Sequence, residues 1–195
     1  MKKLLSLFLA LCMMLSCVLL LSACDKKDDD DENDGPKEDL VVEAPSGYIA
    51  WSNEAVGFAY PSAWSKVDPG YDVILLMVQD SLGNSINVLS EAKNTVYFTV
   101  TNENFMEVMG PSYEMVGSNI TNHSVSSFTL SNGVKVMKFT FKNTMTVSGV
   151  SVTVWQTQYY VNVGTKTYAV TATGRSQTEL ASITSVIEST LVAAK

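Results

Sequence analysis

The sequence predicts an α+β domain, a mostly antiparallel β-sheet with a few helices, one of them amphipathic and C-terminal. Three observations predict it. β-Branched and aromatic residues recur in short runs separated by Gly, Asn and Ser turns. Asn132-Gly133 sits between two such runs, and Asn-Gly in that setting is a strong short-range hairpin signal. The chain then closes on Ser176-Gln177-Thr178-Glu179, a capping box, followed by apolar residues at helical spacing.

The elements follow in order. Tyr48 to Ser52 and Gly57 to Tyr60 read as short strands around an Asn53-Glu54 turn, and Pro61 should end the second. Asp72 to Gln79 contains the unbroken run Val73, Ile74, Leu75, Leu76, Met77, Val78, the pattern of a central strand buried on both faces. Leu82-Gly83-Asn84 turns it into Ser85 to Glu91. A segment from Val96 to Val100 leads to Thr101, a candidate cap for a helix whose Phe105, Val108 and Met109 share a face. Gly110-Pro111 should interrupt that helix, with a further turn at Tyr113 to Val116. Val125 to Leu130, Val134 to Met145, Val150 to Val163 and Lys166 to Thr173 read as successive strands. Leu180, Ile183, Ile187 and Leu191 form the apolar stripe of the last helix, which should lie on the sheet.

One stretch carries a resemblance. Gly57-Phe58-Ala59-Tyr60-Pro61-Ser62-Ala63-Trp64 is similar to a recurrent stretch of the PsbP-like fold, and the late strands around Gln158-Tyr159-Tyr160 and Tyr168-Ala169-Val170-Thr171 look alike too. The resemblance extends over most of residues 48 to 195. It implies a single PsbP-like domain at 45–195, in a group that includes accessory and binding proteins. No functional residue maps onto this chain from it.

The N-terminus has a different character. Lys2 and Lys3 precede the apolar run Leu4 to Leu21, the layout of a secretory signal at residues 1–23. Eighteen helical residues reach roughly 27 Å, just short of a hydrocarbon core, so length alone does not separate a signal from a span. Leu21-Ser22-Ala23-Cys24 resembles the bacterial lipobox, in which the cysteine thiol receives a diacylglycerol and the chain is cut before it. The resemblance implies a lipoprotein anchored in a cell membrane through Cys24 and facing the extracytoplasmic side. Cys12 and Cys17 would leave with the signal, so the mature domain would hold no free thiol and no disulfide. Asp25 resembles an inner-membrane retention signal, which has meaning only in a cell with two membranes.

Residues 24–44 then read as the lipidated cysteine and a disordered tether. Asp25 to Asp39 holds nine acids against three lysines. Asp30, Glu32, Asp34 and Gly35 imitate the start of a calcium loop. Pro36 and Val41 break the imitation, Val41 standing where the closing glutamate belongs. The acidity of the chain, formally −7 overall, lives mostly here. From Pro45 onward eight basic residues face ten acidic ones, with no basic stripe to suggest nucleic acid.

Catalytic signals are weak. His123 is the one histidine, too few for a multi-histidine metal site. There is no Gly-x-Ser-x-Gly elbow, phosphate loop or dinucleotide fingerprint, and no carboxylate pair stands out by spacing. No cofactor is expected. Trp51, Trp64, Trp155 and Tyr159 are candidate walls of a ligand groove. Alternation puts Tyr159 and Tyr160 on opposite sheet faces, and strands attract aromatics in any case. The expectation is a non-catalytic envelope module that binds a protein partner. The alternative is a small-ligand or cell-wall-binding lipoprotein, and an enzyme is the least favoured.

Overall fold

The computed structural model describes residues 39–147 and 149–195. The signal segment, Cys24 and the tether as far as residue 38 lie outside the described residues. Within them the order is β1 (Tyr48–Ser52), β2 (Val56–Pro61), β3 (Ser65–Lys66), β4 (Ile74–Gln79), β5 (Ser85–Ala92) and a 3-10 turn (Val96–Thr99). Then come α1 (Phe105–Met115), β6 (Ser118–Thr129), β7 (Lys135–Val147), β8 (Val150–Val163), β9 (Lys166–Gly174), α2 (Gln177–Thr190) and β10 (Val192–Ala193). The expected α+β class holds. The strands form one seven-stranded sheet, ordered β3-β4-β5-β9-β8-β7-β6, and one three-stranded sheet, β1-β2-β10. Every pairing is antiparallel.

The large sheet is sandwiched, and each face has its own core. On one face Val78, Ile86, Val88, Tyr159, Val161, Tyr168 and Val170 meet Phe58 and Tyr60 of β2. Leu180, Ile183 and Ile187 of α2 pack into the same cluster, so the expected stripe is the buried one. On the other face Met77, Leu89, Phe139, Phe141 and Tyr160 lie under Tyr97 of the 3-10 turn and Phe105, Met109 and Tyr113 of α1. Alternation along β8 explains the division. Tyr159 goes to the first core and Tyr160 to the second, and both are buried.

Several local expectations change. β4 is next to the edge strand β3 rather than central, so Val73 and Leu75 are 37% and 38% exposed although their run reads as buried on both faces. β6 starts at Ser118, seven residues before the expected Val125, because β7 offers it a partner as far as Met145. A register shift between Thr121 and Ser124, with Asn122 at φ 52°, takes up the irregularity. α1 begins at Phe105 behind Asn104 rather than at Thr101, whose backbone N–H donates to Asn104 Oδ1 at 2.7 Å. It also runs through Gly110-Pro111. Pro111 is exposed, so the helical carbonyl it leaves without a donor faces water.

α2 keeps half of its expected cap. Ser176 Oγ accepts from the Glu179 N–H at 3.2 Å, but the Glu179 carboxylate takes the Ser176 hydroxyl at 3.0 Å instead of the cap amide. Gly174 is required just before it. A Cβ there would stand 2.6 Å from the Leu180 nitrogen, which is backbone and cannot swing away.

Candidate functional site

The chain meets the domain at one end of the large sheet. The Leu40 N–H donates to the Asn53 carbonyl at 3.1 Å, and Ala194 N–H donates to the Ala55 carbonyl at 2.8 Å. Asn132 Nδ2 reaches the Ala193 carbonyl at 2.6 Å. The β1–β2, β6–β7 and β8–β9 turns and the C-terminus therefore gather at this end, where residue 39 also arrives.

An open cleft of about 410 Å³ lies beside that point. β1 supplies Trp51, and β9 supplies Tyr168 and Lys166. Leu75 of β4, Glu54 of the first turn and Asp39 complete the principal walls. Trp51 is braced by Phe58, ring centroids 5.6 Å apart, which is why part of it is buried while part faces the cleft. The cleft thus combines an aromatic floor with one ammonium and two carboxylates at its rim, a set that suits a short extended peptide or a small polar ligand.

The other candidates do not converge with Trp51. Trp64 follows β2 and packs on the first core, its backbone N–H donating to the Pro61 carbonyl at 3.1 Å. Trp155 is opposite Gly174, the β8–β9 pair farthest from the cleft. Tyr159, expected as a groove wall, is fully buried and is a core residue, because α2 covers its face of the sheet. Its hydroxyl donates to Glu188 Oε1 at 2.7 Å, and burial, reinforced by that carboxylate, pushes its pKa well up. Cys24 lies outside the described residues.

The second core contains polar groups that the sequence did not single out. Tyr113 and Tyr160 both donate to Gln158 Oε1, at 2.9 and 2.8 Å. Tyr97 stacks on Tyr160 with ring centroids 4.0 Å apart. Burial pushes all three tyrosines up, and Glu91 adds its negative charge at Tyr97 and Tyr160. Glu91 is itself raised by burial, partly offset by its hydrogen bond with Tyr97. Asn143 donates to Gln156, which donates to Thr173, extending the polar stripe across three strands. Phenols held this far above neutrality donate and do not ionise, so the cluster fastens α1 and the 3-10 turn to the sheet.

His123 serves the fold as well. Its ring stacks on Phe105 with centroids 4.7 Å apart, and Nε2 lies 3.1 Å from the Asn102 carbonyl. Among the described residues no three His, Cys, Asp or Glu side chains are grouped to hold a metal ion.

No family model matches the chain, and no curated protein matches it. Solved structures do. The cyanobacterial PsbP protein CyanoP of Synechocystis sp. PCC 6803 superposes with a TM-score of 0.51 at 11% identity, over 89% of this chain and 99% of its own. A Bacteroides thetaiotaomicron VPI-5482 protein gives 0.36 at 10% identity, over 73% of this chain and 46% of its own. LpqN of Mycobacterium tuberculosis, described as involved in cell envelope biogenesis, gives 0.41 at 9% identity, over 80% and 90%. The likeness to CyanoP is one of fold, and with the observed architecture it makes this an α+β domain of PsbP-like fold.

Proposed function

We infer that this chain is a lipoprotein, anchored in a cell membrane through Cys24 on the extracytoplasmic side, that acts as a non-catalytic accessory module binding an envelope protein. The observation that carries the reading is the cleft between Trp51, Tyr168 and Lys166, beside the place where residue 39 joins the domain. A chain tied at Cys24 would hold this end, and hence the cleft, nearest the membrane. Fifteen residue steps separate Cys24 from residue 39, a length of chain that reaches at most roughly 50 Å. A partner's exposed segment at that height would find an apolar floor with charges of both signs at its rim. A second reading, a small polar ligand, is favoured by the volume of about 410 Å³, which is in the range of ligand pockets.

Two measurements test the pair of claims. Cys24→Ala should move the protein from membranes to the soluble fraction, and a shortened chain that stays tightly membrane-bound defeats the anchor. Crosslinking in intact cells should then give a defined adduct that Lys166→Glu abolishes while the fold, followed by circular dichroism, is kept. Adducts unchanged by Lys166→Glu, together with a thermal shift caused by a small molecule, would move the assignment to the second reading.

A further inference from the structure

The far end of the large sheet carries a feature that the cleft does not use. β9 pairs with β8 only from Trp155–Gly174 onward, whereas β7 and β8 continue together to Val147–Val150. The β6–β7–β8 ribbon therefore projects past β9. On one side its residues are hydroxylic and paired across the strands. Thr144 Oγ1 lies 2.9 Å from Thr153 Oγ1, and Thr146 Oγ1 lies 3.2 Å from Ser151 Oγ, both at exposed positions. Asn119 continues the first rung on β6 and is exposed. The next row inward is Lys142 opposite Trp155, each half-buried. The reverse side of the same ribbon is buried in the second core, where Phe141, Met145 and Val154 flank the hydrogen-bonded amides of Asn143 and Gln156. That core fixes the face rigidly.

We propose that this hydroxyl-lined face is a binding surface for a glycan strand of the cell wall. Three properties favour a sugar polymer over a protein. In each rung one hydroxyl hydrogen is spent inside the pair, which leaves one O–H and several lone pairs to offer outward. Sugar hydroxyls both donate and accept and match that supply. Threonine, serine and asparagine dominate the face, while the centre of a protein interface favours large aromatics and is depleted in serine. Trp155 at the inner border offers an apolar ring for the C–H face of a sugar. From Asn119 across Thr144 to Thr153 the row covers two strand spacings, about 10 Å, roughly the length of two pyranose rings. Among the described residues of the rows Asn119–Thr144–Thr153 and Thr121–Lys142–Trp155 the one charged side chain is Lys142, which suits a neutral or weakly anionic chain.

The position of the chain's remaining segment supports the occupant. Residue 39 joins the domain at the opposite end of the sheet. Thirteen residue steps of β8 separate Val163 from Val150, about 43 Å along the strand. Resting on the reading that Cys24 is the anchor, the face points away from the membrane, where wall polymer is met.

The test is co-sedimentation of the full mature chain, as the lipidated protein in detergent and as Cys24→Ser, with purified insoluble peptidoglycan. Both forms should sediment with it. The double variant Thr144→Val with Thr153→Val keeps shape and β-propensity, and it should bind about tenfold more weakly, the loss that one or two hydrogen bonds predict. Ser151→Ala with Thr146→Val gives an independent second variant should the first fold poorly. Peptidoglycan that leaves the wild-type chain in solution, equal sedimentation of folded variants, or capture of a protein on this face in place of glycan overturns the proposal. Failure of the anchor shows separately, as Cys24→Ser that stays with membranes while glycan binding is unchanged.

Discussion

The hydroxyl of Tyr159 donates to Glu188 Oε1 at 2.7 Å, tying the middle of the large sheet to the last turn of α2. Lys138 Nζ stands 2.6 Å from the same oxygen, with 27% of its side chain exposed and 36% of that of Glu188. The two contacts differ in burial, and burial decides which matters more. Tyr159→Phe removes a buried donor to a carboxylate and should cost about 1–2 kcal/mol in urea unfolding. Lys138→Met breaks a partly exposed ion pair and should cost about 0–1 kcal/mol. If Lys138→Met proves the more damaging, the carboxylate is held by its charge partner and not by the phenol.

Gly174 makes a sharper case, because it is set by a close approach of backbone. A Cβ added there meets the Leu180 nitrogen at 2.6 Å and its Cα at 2.9 Å. Gly174→Ala must push the first turn of α2 off the sheet. We expect destabilisation of about 1–3 kcal/mol, the range of an overpacked core, measured by chemical denaturation. Gly133→Ala, where no atom lies within 4 Å but φ is +90°, should lower stability only by its backbone strain.

How far the sequence foretells these features depends on their range. The Asn132-Gly133 turn and the Ser176 cap are local chemistry, and both stand where the pattern puts them. β3 and β10 have two residues each, too short for any period to show, and exist because a neighbouring strand is there to pair with. The exposure of Leu75 depends on strand order, which an apolar run does not encode. The cleft joins Asp39, Trp51 and Tyr168, far apart along the chain, so the pattern offers Trp51 only as an aromatic without a location. The hydroxyl rungs are more local. Thr144-x-Thr146 and Ser151-x-Thr153 stand symmetrically about positions 148 and 149 of the sequence, and an alternation count on β7 and β8 places them on one face.

Glu91 gives a pH signature. Burial raises its pKa above the usual glutamate value of 4.5, and one carboxylate oxygen, Oε1, is buried without a hydrogen-bond partner. A carboxyl whose folded pKa is raised binds its proton more tightly in the folded state. Its contribution is therefore fully favourable below the unfolded pKa and is lost as pH rises through the folded one. Glu91→Gln removes the charge that must be desolvated. The variant should melt higher than wild type near neutral pH, and the difference should shrink as pH falls below about 4.5. Melting curves across pH check this, and a gap that stays constant with pH assigns the effect to packing.

Asn102 governs the other exposed margin of the large sheet. β6 is an edge strand of 12 residues, Ser118 to Thr129, with no lysine, glutamate or proline to discourage another strand from pairing. The Val125 N–H donates to Asn102 Oδ1 at 2.7 Å, and Asn102 Nδ2 reaches the Val125 carbonyl at 3.5 Å. A side-chain amide thus occupies the bonds that an incoming strand would make at the middle of β6. Asn102→Ala should expose that pair of groups at little cost to the core, since Asn102 is a surface residue. Hydrogen exchange at the Val125 amide should quicken, and the variant should associate at concentrations where wild type is monodisperse by light scattering. Asn102→Asp keeps the acceptor and should slow exchange again while leaving the carbonyl free. If exchange at Val125 is unaltered in Asn102→Ala, the edge is shielded by the bulge at Thr121 to Ser124, and the amide contact is incidental.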